Sequence, residues 1–146
     1  WSLVGNARAL DQLEARVNAL VYNEVSEFLV VSAFDHAVPN DASITGVEFE
    51  LTVRSNSGNN VFDHDVRLML PNGVRSANRR TQMSWPNSLT ARLYGSSTER
   101  FGLTLTPAEV NALDFGVAVA ATYTNGAGNE TAALDGVRMR VSYQCR

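Results

Sequence analysis

Asp63-His64-Asp65 is the one compact cluster of metal-capable side chains in the sequence, and Phe34-Asp35-His36 nearly repeats it. Carboxylate oxygen and imidazole nitrogen are ligands for zinc and related ions. Successive side chains on a strand point to opposite faces, so an extended triplet sets Asp63 and Asp65 on one side and His64 on the other. Three convergent ligands are therefore not on offer locally. Sharing an ion would require the two triplets to lie on adjacent strands. The expectation is solvated carboxylates and satisfied histidines, with no metal and no cofactor.

Catalytic groups are equally hard to assemble. Glu48 and Glu50 alternate on one strand face, roughly 7 Å apart by strand geometry, a separation that would suit glycoside chemistry. Alternating glutamates on an outward face are also what plain solvation produces, and that is the expectation. Serines are plentiful, but there is no Gly-x-Ser-x-Gly elbow and no phosphate-cradling glycine loop. The residues to watch for ligand binding or subunit contact are Trp85, Tyr94 and Tyr123, with Arg79, Arg80 and Arg92. An exposed aromatic face stacks on a sugar ring, and guanidinium forks hold carboxylates of an acidic glycan or of another subunit. The alternative is that Trp85 and Tyr94 are aromatics at the edge of the core.

All twelve basic residues are arginine, and the net charge is −3. The arginines scatter apart from Arg75, Arg79 and Arg80, so no basic face suited to nucleic acid is indicated. The single cysteine, Cys145, excludes an intrachain disulfide and leaves a free thiol or a link to a neighbouring chain. No apolar run approaches the roughly 18 residues needed to cross a bilayer, so no membrane insertion is expected. The chain starts at Trp1 rather than Met, from which the expectation is that something upstream was removed or left out. Its 146 residues suit one domain, 1–146, with a single core.

The elements that must position these residues are mostly strands. Val47, Phe49, Leu51 and Val53 alternate with Glu48, Glu50, Thr52 and Arg54, predicting a strand over 44–54. Further long strands are expected at 62–70, with Val66, Leu68 and Leu70 inward, at 115–124, and at 136–144, with Val137, Met139, Val141 and Tyr143 inward. Phe28 to Phe34 is nearly all apolar and reads as a strand buried on both faces or crossing the core. Asn72-Gly73 and Asn125-Gly126-Ala127-Gly128-Asn129 are turn chemistry. Residues 75–92 are polar and weakly periodic, an exposed crossing with short edge strands. Phe101, Leu103 and Leu105 alternate as a short strand. Thr106-Pro107-Ala108-Glu109 then forms a capping box, with proline at the first helical position, for a helical turn near 107–112. The first segment is ambiguous: Leu10, Leu13, Val17 and Leu20 have helical spacing over 7–20, but only two heptads precede Glu24. Seven to nine strands with helix confined to connections specify an all-β, antiparallel, jelly-roll-like sandwich.

Three pieces in fixed order carry a resemblance. The first is Trp1, then Asn6-Ala7-x-Ala9-x-Asp11-x-x-x-Ala15. The second is Phe34-x-x-x-Val38-Pro39-x-x-Ala42-x-Ile44-x-Gly46-Val47-x-Phe49. The third comprises Tyr94-Gly95, Arg100-Phe101-Gly102-Leu103, Thr106 to Asn111 and Asp114-Phe115-Gly116-Val117, closing with Leu134-Asp135-x-Val137-Arg138-x-Arg140-Val141-x-Tyr143. Over nearly the whole chain this resembles a β-sandwich domain found at the ends of bacteriophage tail, fibre and decoration proteins, and in some secreted bacterial proteins. The resemblance implies an extended conformation for residues 12–20, although Gln12-Leu13-Glu14 stands where a turn with Gly or Asn is usual. It also implies location in a virion, a non-enzymatic role and packing against other virion subunits as a homo-oligomer. It supplies no catalytic residue. The alternative within the same fold is a carbohydrate-binding or adhesive module, extracellular or at a phage tip.

Overall fold

In the computed structural model, which describes residues 1–124 and 126–146, the chain forms seven strands. They are β1 (Ala15–Val21), β2 (Leu29–Ser32), β3 (Ser43–Ser55), β4 (Val61–Met69), β5 (Thr90–Gly95), β6 (Gly116–Tyr123) and β7 (Asn129–Gln144). One helical turn, α1 (Pro107–Val110), precedes β6, and a 3-10 turn spans Val4–Ala7. The strands lie in two sheets, ordered β1-β7-β3-β5 and β2-β6-β4. All pairings are antiparallel; three of them nest, β1 with β7, β2 with β6 and β3 with β5, and β3 pairs with β7 as well. β4 sits at the fold of this roll, paired on one side with β6.

On its other side β4 is covered by the polar crossing. Amides of Ser76, Arg79 and Trp85 donate to the carbonyls of Leu68, Val66 and Val61 at 3.0, 2.9 and 2.7 Å. The crossing thus runs antiparallel along β4, in the place where an eighth strand would complete a jelly roll. Between these contacts Asn78 takes over from the backbone: its Oδ1 accepts from Val66 N–H and its Nδ2 donates to the His64 carbonyl.

The core lies between the sheets. Phe49 stacks between Tyr94 and Phe101, with ring centroids 5.4 and 5.5 Å away. Every residue of β6, the central strand of the smaller sheet, is buried; Val117, Val119, Ala121 and Tyr123 join the core, and the alternate positions Ala118, Ala120 and Thr122 are small. A Cβ at Gly116 would meet the Val31 carbonyl across the β2 pairing, which keeps that position small.

Several expectations change in physical detail. Residues 15–21 are strand, as the extended reading of 12–20 expects for most of its length, although Gln12 takes φ 68° in a bend before it; Leu10 and Leu13 are exposed and Leu20 is buried. The four residues with helical spacing therefore share no face; the open edge of β7 takes β1 instead, Ala15 opposite Leu134 and Val17 opposite Ala132. The Phe28–Phe34 run is not buried on both faces. It yields only four residues of strand, at a sheet edge, with Leu29 and Val31 inward and Val30 exposed.

Phe101, Leu103 and Leu105 do not form a strand. Phe101 is fully buried with φ 56°, so a turn delivers the ring to the core. β7 begins at Asn129 rather than 136, because Ala132 to Leu134 are needed between β1 and β3. Tyr143, expected inward, is exposed. Of the expected glycine-rich turn, Asn125 lies outside the described residues. The capping box forms as read: Thr106 Oγ1 accepts from Glu109 N–H at 3.3 Å, and Glu109 Oε2 accepts from Thr106 N–H at 2.8 Å.

Candidate functional site

Asp63 and Asp65 do not share a side. Asp63 pairs with Ala121 and Asp65 with Ala120, so a bulge at His64 shifts the strand's parity by one. Asp63 turns inward and is buried, whereas Asp65 faces out beside Arg67, 2.6 Å from its Nε. Inside, Asp63 collects four donors. Trp85 Nε1–H donates to Oδ1 at 2.8 Å, and Oδ2 accepts from Tyr94 O–H at 2.8 Å and from the N–H and O–H of Thr81 at 3.0 and 3.1 Å. A carboxylate so surrounded by neutral donors is stabilised without a cation. Burial, together with the neighbouring Asp63 charge, pushes the Tyr94 hydroxyl far above its ordinary range, so Tyr94 remains a donor.

This geometry corrects the aromatic reading. Trp85 and Tyr94 are 1% and 3% exposed, and Tyr123 is buried as well, so none presents a ring face to a sugar. Trp85 and Tyr94 fasten the crossing and β5 to β4, while Tyr123 O–H donates to the Ala127 carbonyl at 3.1 Å. Arg92 belongs to the same fastening: its Nη2 donates to the Ser84 carbonyl at 2.7 Å and its Nη1 lies 3.1 Å from Met83 Sδ. Arg79 faces Glu99 at 3.4 Å and lies over the Phe101 ring. Arg80 is exposed, beside a small cleft next to Asp63 and Thr81. Cys145 is exposed and unpaired.

The second triplet lies apart from the first. His36 stacks on Phe34 at 6.0 Å and meets Phe115 edge-on at 6.4 Å. Its buried Nε2 has no hydrogen-bond partner among the described residues. Burial lowers its pKa, against a raising influence of Asp35. Among the described residues, no three metal-capable side chains come together. Glu48 lies opposite Arg140, with which it forms an ion pair, and Glu50 lies opposite Arg138. The glutamates are thus half of an alternating charge ladder on the outer face of the larger sheet.

One built cavity was not foreseen. A groove of about 610 Å³ lies where β3 begins and β7 ends. Its walls come from the 40–44 turn, the 100–107 connection and Arg146. Asn111 fixes the two walls to each other: its Oδ1 accepts from Val38 N–H at 2.9 Å and its Nδ2 donates to the Val38 carbonyl at 2.8 Å. Arg100 and Arg146 both line the groove, and neither has a carboxylate partner among the described residues; Arg146 Nε donates to Ser43 Oγ at 3.2 Å. Asn40, Asp41 and Thr104, also on the walls, make no side-chain hydrogen bond of their own among the described residues. The two arginines are 46 positions apart in the chain: the pairing of Ser43 with Gln144 brings in Arg146, and the Val47 N–H bond to the Glu99 carbonyl brings in Arg100. No spacing in the sequence could have announced it.

No family model matches the chain, and no curated protein matches it. Among the described residues no helix is long and apolar enough to cross a membrane.

Proposed function

We propose that the chain is a non-enzymatic structural domain of a bacteriophage particle, a decoration, tail or fibre component that works by packing against other copies and neighbouring subunits. The observation that carries the packing is where apolar surface remains. Among the described residues, eight of the thirteen large exposed apolar side chains lie between Leu3 and Val30, among them Val21, Tyr22, Val25 and Val30. They sit on and beside β1 and β2, the strands at one lateral side of both sheets. Concentrated apolar surface of this kind marks an interaction site rather than scatter. The phage assignment rests on the sequence resemblance.

The mode of contact follows from the edges. Ser2 exchanges backbone hydrogen bonds with Arg16 at 2.7 and 3.0 Å, and Val21 N–H donates to the Glu24 carboxylate at 2.8 Å. The register breaks between Val17 and Leu20, where Ala19 has φ 60°. An edge blunted this way resists strand addition, so subunits associate through side chains. Cryo-microscopy of assembled particles tests the reading: the domain should occupy a repeated position with its β1/β2 side against a neighbour. A monomer that never joins a particle would defeat it.

A further inference from the structure

We infer that the groove between the 40–44 turn and the 100–107 connection is a binding site for an acidic sugar, a saccharide carrying a carboxylate. Its volume, about 610 Å³, lies within the range of ligand pockets, roughly 300–1,000 Å³. Two guanidiniums, Arg100 and Arg146, face it without a carboxylate of their own among the described residues, and a guanidinium fork matches a carboxylate in bidentate geometry. The remaining polar wall selects among anions. Asp41 would repel a simple polyanion such as a phosphate chain, yet a carboxylate is a strong acceptor for sugar hydroxyls. Asn40 and Thr104 add uncommitted donors and acceptors, and Ile44 and Leu105 supply an apolar base. One acidic group plus several hydroxyls is the ligand chemistry that uses both signs of charge.

The site is rigidly framed, by β3 and β7 on one wall and by the Asn111–Val38 clamp joining it to the other. It is also remote from the apolar side proposed for packing. Val21 lies opposite Asn129, where β7 starts, and Leu10 lies beside Gly136, eight residues before Gln144 at the groove, roughly 26 Å along the strand at 3.3 Å per residue. Association and sugar binding can therefore succeed or fail separately.

The experiment titrates the full isotope-labelled chain with sialyllactose, lactose and polyglutamate, following backbone amide shifts. Sialyllactose should shift amides in 40–44 and 100–107 with a Kd on the order of 1 mM, and lactose should bind at least about tenfold more weakly. Arg100→Gln and Arg146→Gln, both at exposed positions, should each weaken sialyllactose about tenfold, the loss of one charge-assisted contact. Arg100→Lys should retain part of the binding. No shift with sialyllactose, equal binding of lactose, polyglutamate bound as tightly, or an unaltered Arg100→Gln titration would each overturn the assignment.

Discussion

Asp63→Ala is the substitution with the largest expected consequence outside the apolar core. It removes the common acceptor of Trp85, Tyr94 and Thr81. Thr81 adjoins the cleft beside Arg80 and can turn to water, but Trp85 Nε1–H and Tyr94 O–H are left in the interior without an acceptor. A buried unsatisfied polar group costs about 1–3 kcal/mol, so two give about 2–6, and we expect about 4 kcal/mol in all. The assay is denaturant unfolding, compared at the midpoint with the slope checked for constancy. A double-mutant cycle separates the hub from incidental damage. Tyr94→Phe should cost about 1 kcal/mol in the native background, since it breaks one hydrogen bond. In the Asp63→Ala background it should cost nothing or stabilise, because it removes an orphaned hydroxyl. A cost for Asp63→Ala below about 1 kcal/mol, or additive effects in the cycle, would refute the view that this carboxylate holds the crossing to β4.

Acid should weaken the fold in two windows. Burial lowers the His36 pKa, so the unfolded chain binds that proton first and stability begins to fall below about pH 6.5, the ordinary histidine value. A hydrogen bond from Arg54, opposed by burial and reinforced by the Arg54 charge and by Arg16, holds Glu14 below the ordinary carboxylate range. At Glu130 burial raises the pKa, but contacts from Ser57, Thr131 and Asn56 together outweigh it. Both glutamates therefore contribute stability that is complete above about pH 4.3 and is lost as pH falls through their lower folded values. Melting temperature against pH should show both windows, and Glu14→Gln should flatten the lower one. Thr106→Ala should cost about 1 kcal/mol by removing the N-cap acceptor, read as an earlier thermal midpoint. Gly95→Ala should cost on the order of 3 kcal/mol, because Gly95 has φ 78° and a Cβ there would meet the Val47 carbonyl and the Phe101 ring; an unchanged denaturant midpoint would contradict this.

The fold was legible wherever alternation ran unbroken. Val47 to Val53, the β6 run and the capping box at Thr106 each state their structure locally. Legibility failed where one residue changes parity or one turn replaces a strand. In the sequence Phe62, Val66, Leu68 and Leu70 keep one parity, so nothing there announces the bulge that buries Asp63 in phase with Val61. Phe101 reads as part of a strand because burial alternates there, although its backbone is left-handed. The aromatics were read as candidate binding groups because composition does not reveal that a buried carboxylate waits for their polar ends. The groove was illegible for a different reason: Arg100 and Arg146 are brought to it separately, by the Val47–Glu99 contact and by the long-range pairing of β3 and β7.

Sedimentation velocity over a rising concentration series, on the native chain and on a Tyr22→Asp, Val30→Asp double variant, tests subunit packing most directly. Both positions are exposed, though Tyr22 meets the Tyr123 ring edge-on at 6.4 Å, so the variant should fold with a melting temperature lowered by a few degrees at most. The native chain should grow beyond its 15.9 kDa monomer as concentration rises, and the variant should stay monomeric. A native chain that remains monomeric throughout, or a variant that associates as the native chain does, would contradict it.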